Sequence, residues 1–113
     1  MLRLNLNEYR NAPYFKLNQA KIAFKEEPSI KSQLLNLPQY SRIHLRYIVH
    51  YPTNREFDVA NICAVADKFF SDALVEYGKL PDDNFKFIPQ VTYCFGSIDK
   101  HNPRIEVEII NVD

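Results

Sequence analysis

Between Val59 and Tyr77 apolar side chains recur at Val59, Ile62, Cys63, Ala66, Phe69, Phe70, Ala73, Leu74 and Tyr77. Steps of three and one gather such residues on one face of an α-helix. The pattern predicts a helix over 59–77, with Ile62, Ala66, Phe69 and Ala73 buried. Asn61, Ala64, Asp67, Lys68, Ser71, Asp72 and Glu76 fall on the other side. Asp58 stands where a carboxylate accepts the free N–H groups of a first helical turn. Gly78 stands where a left-handed residue ends a helix, and Pro81 prevents its continuation.

The rest of the chain carries shorter patterns. Leu2-Arg3-Leu4-Asn5-Leu6 alternates strictly and predicts a strand. A turn over Asn11–Pro13 leads to a helix expected over 14–25, with Leu17, Ala20 and Phe24 inward. Pro28 breaks it or opens a second helical piece from Ser29 to Leu37. Residues 42–51 give the strongest strand: Ile43, Leu45, Tyr47, Val49 and Tyr51 share one face, and Arg42, His44, Arg46 and His50 the other. That second face reads either as a phosphate-contacting stripe or as a half-solvated sheet face. Residues 85–97 suggest a strand best defined at Val91, Tyr93 and Phe95, with Pro89 confining its start to an edge or bulge. Residues 104–110 give a last strand, with Ile105, Val107 and Ile109 inward. Its Glu106 and Glu108 face outward, where they can pair with the basic face of 42–51. The order strand, helix, strand, helix, strand, strand predicts a single α/β (α+β) domain over 1–113. Its simplest form is one mixed sheet of about four strands packed with two main helices.

Composition narrows the function. Two glycines leave no glycine-rich phosphate loop, so no nucleotide cofactor is expected. No apolar run is long enough to span a membrane and the N-terminus is no signal peptide, so the expected location is the cytoplasm. Cys63 and Cys94 match no metal spacing and read as reduced, buried thiols. The formal net charge is zero, but residues 1–56 hold nine Lys/Arg against four Asp/Glu, and residues 57–113 five against ten. Such asymmetry is what a basic surface beside an acidic site produces. The zero total argues against strong nonspecific binding of nucleic acid.

Chemistry concentrates around the central helix. Asp58 stands at its start and Asp82–Asp83 follow its end, while Asn61, Lys68 and Asp72 lie near one line along it. Two or three acids can hold Mg²⁺. The ion activates water and screens a phosphodiester, and a nearby lysine stabilises the charge that develops. The same residues are also what a capped helix with a solvated face and an acidic turn contains.

This stretch resembles the core of the RusA family, the phage-type Holliday junction resolvases. That family's pattern is roughly D-x-D-N-x-x-K-x-x-x-D-A-L, then a Gly, then a D-D pair. Asp58 and Asn61 match its first Asp and its Asn. Lys68, Asp72, Ala73 and Leu74 match K-x-x-x-D-A-L, and Gly78 with Asp82–Asp83 matches the downstream end. Asn7–Tyr9 resembles the family's N-terminal Asn/Tyr loop. Two features depart: Ala60 replaces the second Asp, and four extra residues separate Asn61 from Lys68. Four residues add nearly a whole turn, so Lys68 keeps its face but moves up one turn. Ala64, Asp67 and Lys68 are placed anew, and another acid could replace the lost one. The basic cluster ahead of the first Asp is reduced to Arg55.

The resemblance implies a Mg²⁺-dependent endonuclease that cuts branched DNA as a homodimer in the cytoplasm of a bacterial or phage-infected cell. Asp58, Lys68 and Asp83 would be catalytic, Asp58, Asp82 and Asp83 would hold the metal, and Arg55, Asn61, Arg42 and Arg46 would contact DNA. Without an acid at Ala60 the metal should bind weakly. The alternatives are a catalytically impaired protein on the same fold that binds DNA or a host protein, and a small interaction domain with no site. The ends of such a helix stand about 30 Å apart, so one shared site needs either the Gly78–Pro81 segment to fold back or a partner subunit to supply an acid. The expectation is the fold-back.

Overall fold

The strict alternation in residues 42–51 becomes the strand around which the sheet is built. The structure, a computed structural model, describes residues 2–5 and 27–112. The helix expected over 14–25 and the Asn7–Tyr9 loop lie outside them. The elements in chain order are β1 (Leu2–Asn5), α1 (Pro28–Leu35), β2 (Ile43–Tyr51), α2 (Val59–Glu76), β3 (Gln90–Ile98) and β4 (Arg104–Asn111). The sheet order is β1-β4-β2-β3. β2 runs parallel to β3 and antiparallel to β4, and β1 is antiparallel to β4, so the sheet is mixed. Ile43, Leu45, Tyr47 and Val49 of β2 are buried, as are Ile105 and Val107 of β4 beside them. Among the described residues no helix is long and apolar enough to cross a membrane.

Both helices cover the apolar face of the sheet. α1 starts at Pro28, one residue earlier than expected, because proline lacks only an N–H that a first turn leaves unused. Glu27 caps it, accepting from Ile30 N at 2.9 Å. α2 has the predicted start and cap and ends one residue early, at Glu76, and Gly78 has φ +69°. Cys63, Ala66, Phe69, Phe70, Ala73 and Leu74 are buried, whereas Ile62 is only half-buried. The face is thus turned from Ile62 toward Cys63 and Phe70. The turn also carries Ser71, expected outward, into the interior at 8% exposure and leaves Asp67 half-buried.

β3 departs from expectation at its start. Asn84 Oδ1 accepts from Lys86 N at 2.9 Å, and its carbonyl accepts from Phe87 N and Ile88 N. This side-chain turn holds 84–88 out of the sheet, and Pro89 has no N–H to offer a ladder. The strand therefore begins at Gln90. Its apolar residues Val91 and Phe95 share the inner face in register with Leu45 and Val49, yet both are exposed because among the described residues β3 has a neighbouring strand only on its β2 side.

Candidate functional site

The two ends of α2 carry the acids. Asp58 is exposed, and its Oδ1 accepts from Ala60 N at 3.0 Å, so it caps the helix. Phe57, just before it, stacks on Tyr51 with ring centroids 4.1 Å apart, which fixes this end beside the end of β2. Asn61 and Lys68 are exposed, and Asp72 is half-buried. Asp82 and Asp83 lie in an exposed turn, where Asp82 Oδ1 accepts from Asp83 N at 2.8 Å and Oδ2 from Asn84 Nδ2 at 3.1 Å. That turn is tied to the opposite end of the sheet. Tyr40 N donates to Lys79 O at 2.7 Å and Ile43 N to Phe87 O at 2.9 Å, both at the beginning of β2.

The expected fold-back is therefore not formed. The 18 residues of α2 span about 27 Å, and the chain beyond Gly78 stays at the C-terminal end of the helix. Asp58 and Asp82–Asp83 sit at opposite ends of the molecule, with Lys68 between them. Among the described residues no three His, Cys, Asp or Glu side chains are grouped to hold a metal ion. One copy of the chain does not bring Asp58, Asp82 and Asp83 to a single Mg²⁺ site.

The basic residues also separate. Arg55 is exposed beside Asp58 and lines an open groove of about 440 Å³ with Asn54, Glu56, Phe57, Val59, Phe95 and Ile98. Arg42 is exposed just ahead of β2, at the Asp82–Asp83 end. Arg46, on the outer face of the sheet, donates to Cys94 Sγ at 3.4 Å and pairs with Glu108 at 3.5 Å. His50 meets Glu106 at 2.7 Å. The glutamates of β4 thus pair with the basic face of β2, as the alternation implied, and offset the stripe that would meet phosphates.

Two polar networks stand out: the first escaped sequence reasoning, and of the second only the pairing of Glu106 with the basic face was expected. In the first, Asp67 Oδ1 accepts from Tyr47 OH at 2.8 Å and Ser71 Oγ at 2.9 Å, and its Oδ2 from Tyr93 OH at 3.3 Å. The carboxylate is engaged between helix and sheet rather than replacing the acid missing at Ala60. Burial, then the Asp67 charge, holds the Tyr47 phenol well above its ordinary range and pushes Tyr93 up to about 12. Burial also pushes the Cys63 thiol up to about 12, which makes it unreactive. The available signal was that Asp67 borders the apolar stripe, four residues from both Cys63 and Ser71.

In the second network His50 Nδ1 lies 2.7 Å from Ser97 Oγ and its Nε2 2.7 Å from Glu106 Oε1. Arg104 bonds Glu106 Oε2 through Nε at 3.4 Å, and Asp99 Oδ2 through Nη1 at 2.9 Å. A serine–histidine–carboxylate row suggests nucleophilic catalysis, but Arg104 shares this carboxylate and the row spans three neighbouring strands. We read it as a clamp across the sheet. Burial alone would raise the Glu106 carboxyl, but His50 and Arg104 outweigh it and hold it below its usual range. A carboxyl lowered on folding contributes stability that is present above its unfolded value, about 4.3, and is lost as pH falls through the folded one. Melting temperature should therefore drop on acidification below about pH 4.3, and Glu106→Gln should make that drop shallower. Equal slopes for the two proteins would show that Glu106 is not part of the acid response.

No family model matches the chain, and no curated protein does. The RusA resemblance therefore stands on the residues Asp58, Asn61, Lys68, Asp72, Ala73, Leu74, Gly78, Asp82 and Asp83 themselves.

Proposed function

We propose that the protein is a Mg²⁺-dependent endonuclease of branched DNA, working as a homodimer in which each site takes acids from both copies. The observation that carries the cross-subunit part is the placement of Asp58 and Asp82–Asp83 at opposite ends of α2. Two copies packed antiparallel would bring Asp58 of one to Asp82–Asp83 of the other, twice. The sites would stand about one helix length apart, roughly 27 Å, one for each of two opposed strands. Mg²⁺ would be held there by two or three carboxylates and by water, and bound there it activates water and screens a phosphodiester. Arg55 and Asn61 flank the Asp58 end, and Arg42 the other. Arg46 is already paired with Glu108 and contributes less. Lys68, exposed midway along α2, would supply positive charge to DNA crossing the helix. A cytoplasmic location accompanies this reading.

The test is cleavage of a synthetic four-way junction with Mg²⁺. Asp58→Asn and Asp83→Asn should each abolish cleavage while DNA binding stays equal or tightens, since a repulsive charge is removed. Mixing the two inactive variants, with exchange of subunits, should restore cutting, because each mixed dimer holds one site with both acids. Failure of the mixture to cut would refute the shared site. Wild-type protein that binds junctions but cuts with no divalent metal would leave the non-cleaving DNA-binding reading in its place.

A further inference from the structure

The third strand has one hydrogen-bonded neighbour, β2, so among the described residues its outer edge is free. An edge of this kind is a template for another strand, and proteins usually blunt it with lysine, proline or a charge. Within β3 no such charge appears: its nine residues, QVTYCFGSI, carry no charged side chain and no proline, with Pro89 only ahead of its start and a bulge at Gly96 only near its finish. Its inner face shows Val91, Phe95 and Ile98 at 38%, 51% and 45% exposure. The two ends of the strand are unlike. Ahead of its start, in the 84–88 turn, Phe85 projects at 76% exposure. At its finish lies the open groove walled by Phe57, Val59, Phe95 and Ile98. An apolar knob at one end and, at the other, a groove whose apolar wall is flanked by Asn54, Arg55 and Glu56 form a self-complementary pair under a two-fold axis.

We infer that the free edge of β3 is the surface on which a second copy of this chain docks, strand against strand and antiparallel, with Phe85 of each copy seated in the other's groove. Antiparallel pairing centred on Tyr93 sets Val91 opposite Phe95 of the partner subunit and covers both. The absence of charge along β3 means that no like charges of the two strands meet. The same operation brings the Asp82–Asp83 turn of one copy to the end where Asp58 and Arg55 of the other lie. The inference rests on the shared-site reading for its choice of occupant, but its test reads assembly and not cleavage.

Sedimentation at micromolar concentration should show a dimer for the wild type. Phe85→Ala, at a site too exposed to disturb the fold, should weaken it by about tenfold or more, or about 1.4 kcal/mol. Val91→Lys and Phe95→Glu should each give folded monomers, with folding checked by thermal melting, and their mixture should restore a dimer through the facing opposite charges. A dimer indifferent to all three changes would place the interface elsewhere and leave the shared site standing on another surface. A wild-type monomer whose β3 amides resist hydrogen exchange equally at every concentration would show that the chain covers its own edge, and would overturn the inference. Disruption of the dimer together with unchanged junction cleavage would instead separate the interface from the proposed function.

Discussion

Replacing Phe69 by alanine is expected to lower the free energy of unfolding by about 3–5 kcal/mol, the cost of removing a fully buried ring. Phe69 is 1% exposed and belongs to the inner stripe of α2, which shares one apolar cluster with Leu45, Tyr47 and Val107 of the sheet. The ring leaves a cavity that a closely packed interior fills only in part. Urea unfolding with an unchanged dependence on denaturant is the measurement, since a constant slope assigns the loss to the native state. Exposed Phe85 gives the internal contrast, and Phe85→Ala should change monomer stability by less than about 0.5 kcal/mol. A loss at Phe69 below about 1 kcal/mol would contradict the helix face described above.

Asp67→Ala should cost about 2–4 kcal/mol through a different mechanism, the loss of charge-assisted hydrogen bonds and an unsatisfied donor left behind. Tyr47 is 0% exposed, and the phenol that donates to Asp67 would be stranded beneath α2. Ser71, which also lies within reach of the Tyr47 hydroxyl, can turn its own hydroxyl to other acceptors, and Tyr93 is only half-buried. Most of the penalty should therefore belong to Tyr47. A double-mutant cycle isolates it. Asp67→Ala combined with Tyr47→Phe should be clearly less damaging than the sum of the single changes, because no stranded hydroxyl remains. Strict additivity would show that the two groups act independently despite their 2.8 Å contact.

The fold was legible where one periodicity governed a long run. The stripe from Val59 to Tyr77 and the alternation in 43–51 and 104–110 each repeat often enough to specify a buried face. Asp58 and Gly78 mark the ends of α2 because their chemistry answers a local need, free N–H groups in one case and a positive φ in the other. What sequence reasoning missed was decided by distant partners. Asp67 turns inward because Tyr47 and Tyr93, 20 and 26 residues away, present hydroxyls to it. The candidate site suffered most. Its residues could be named, but the separation of Asp58 from Asp82–Asp83 is set by the bonds Tyr40–Lys79 and Ile43–Phe87, which no local pattern announces.

The strand order has a consequence in time. β2, α2 and β3 are consecutive, and their parallel pairing closes within one stretch of chain. β1 has no partner in that stretch: Leu2 pairs with Val107 and Asn5 with Arg104. β1 therefore has nothing to join until β4, the last described strand in the chain, is present, and in chain order an inner strand of the sheet comes after an outer one. The entropy of closing so long a loop grows only with the logarithm of its length, but contacts of such high sequence separation slow the search for them. The seam between β1 and β4 is accordingly the natural last step of folding, and the place where a partly made copy would still expose the edge of a strand.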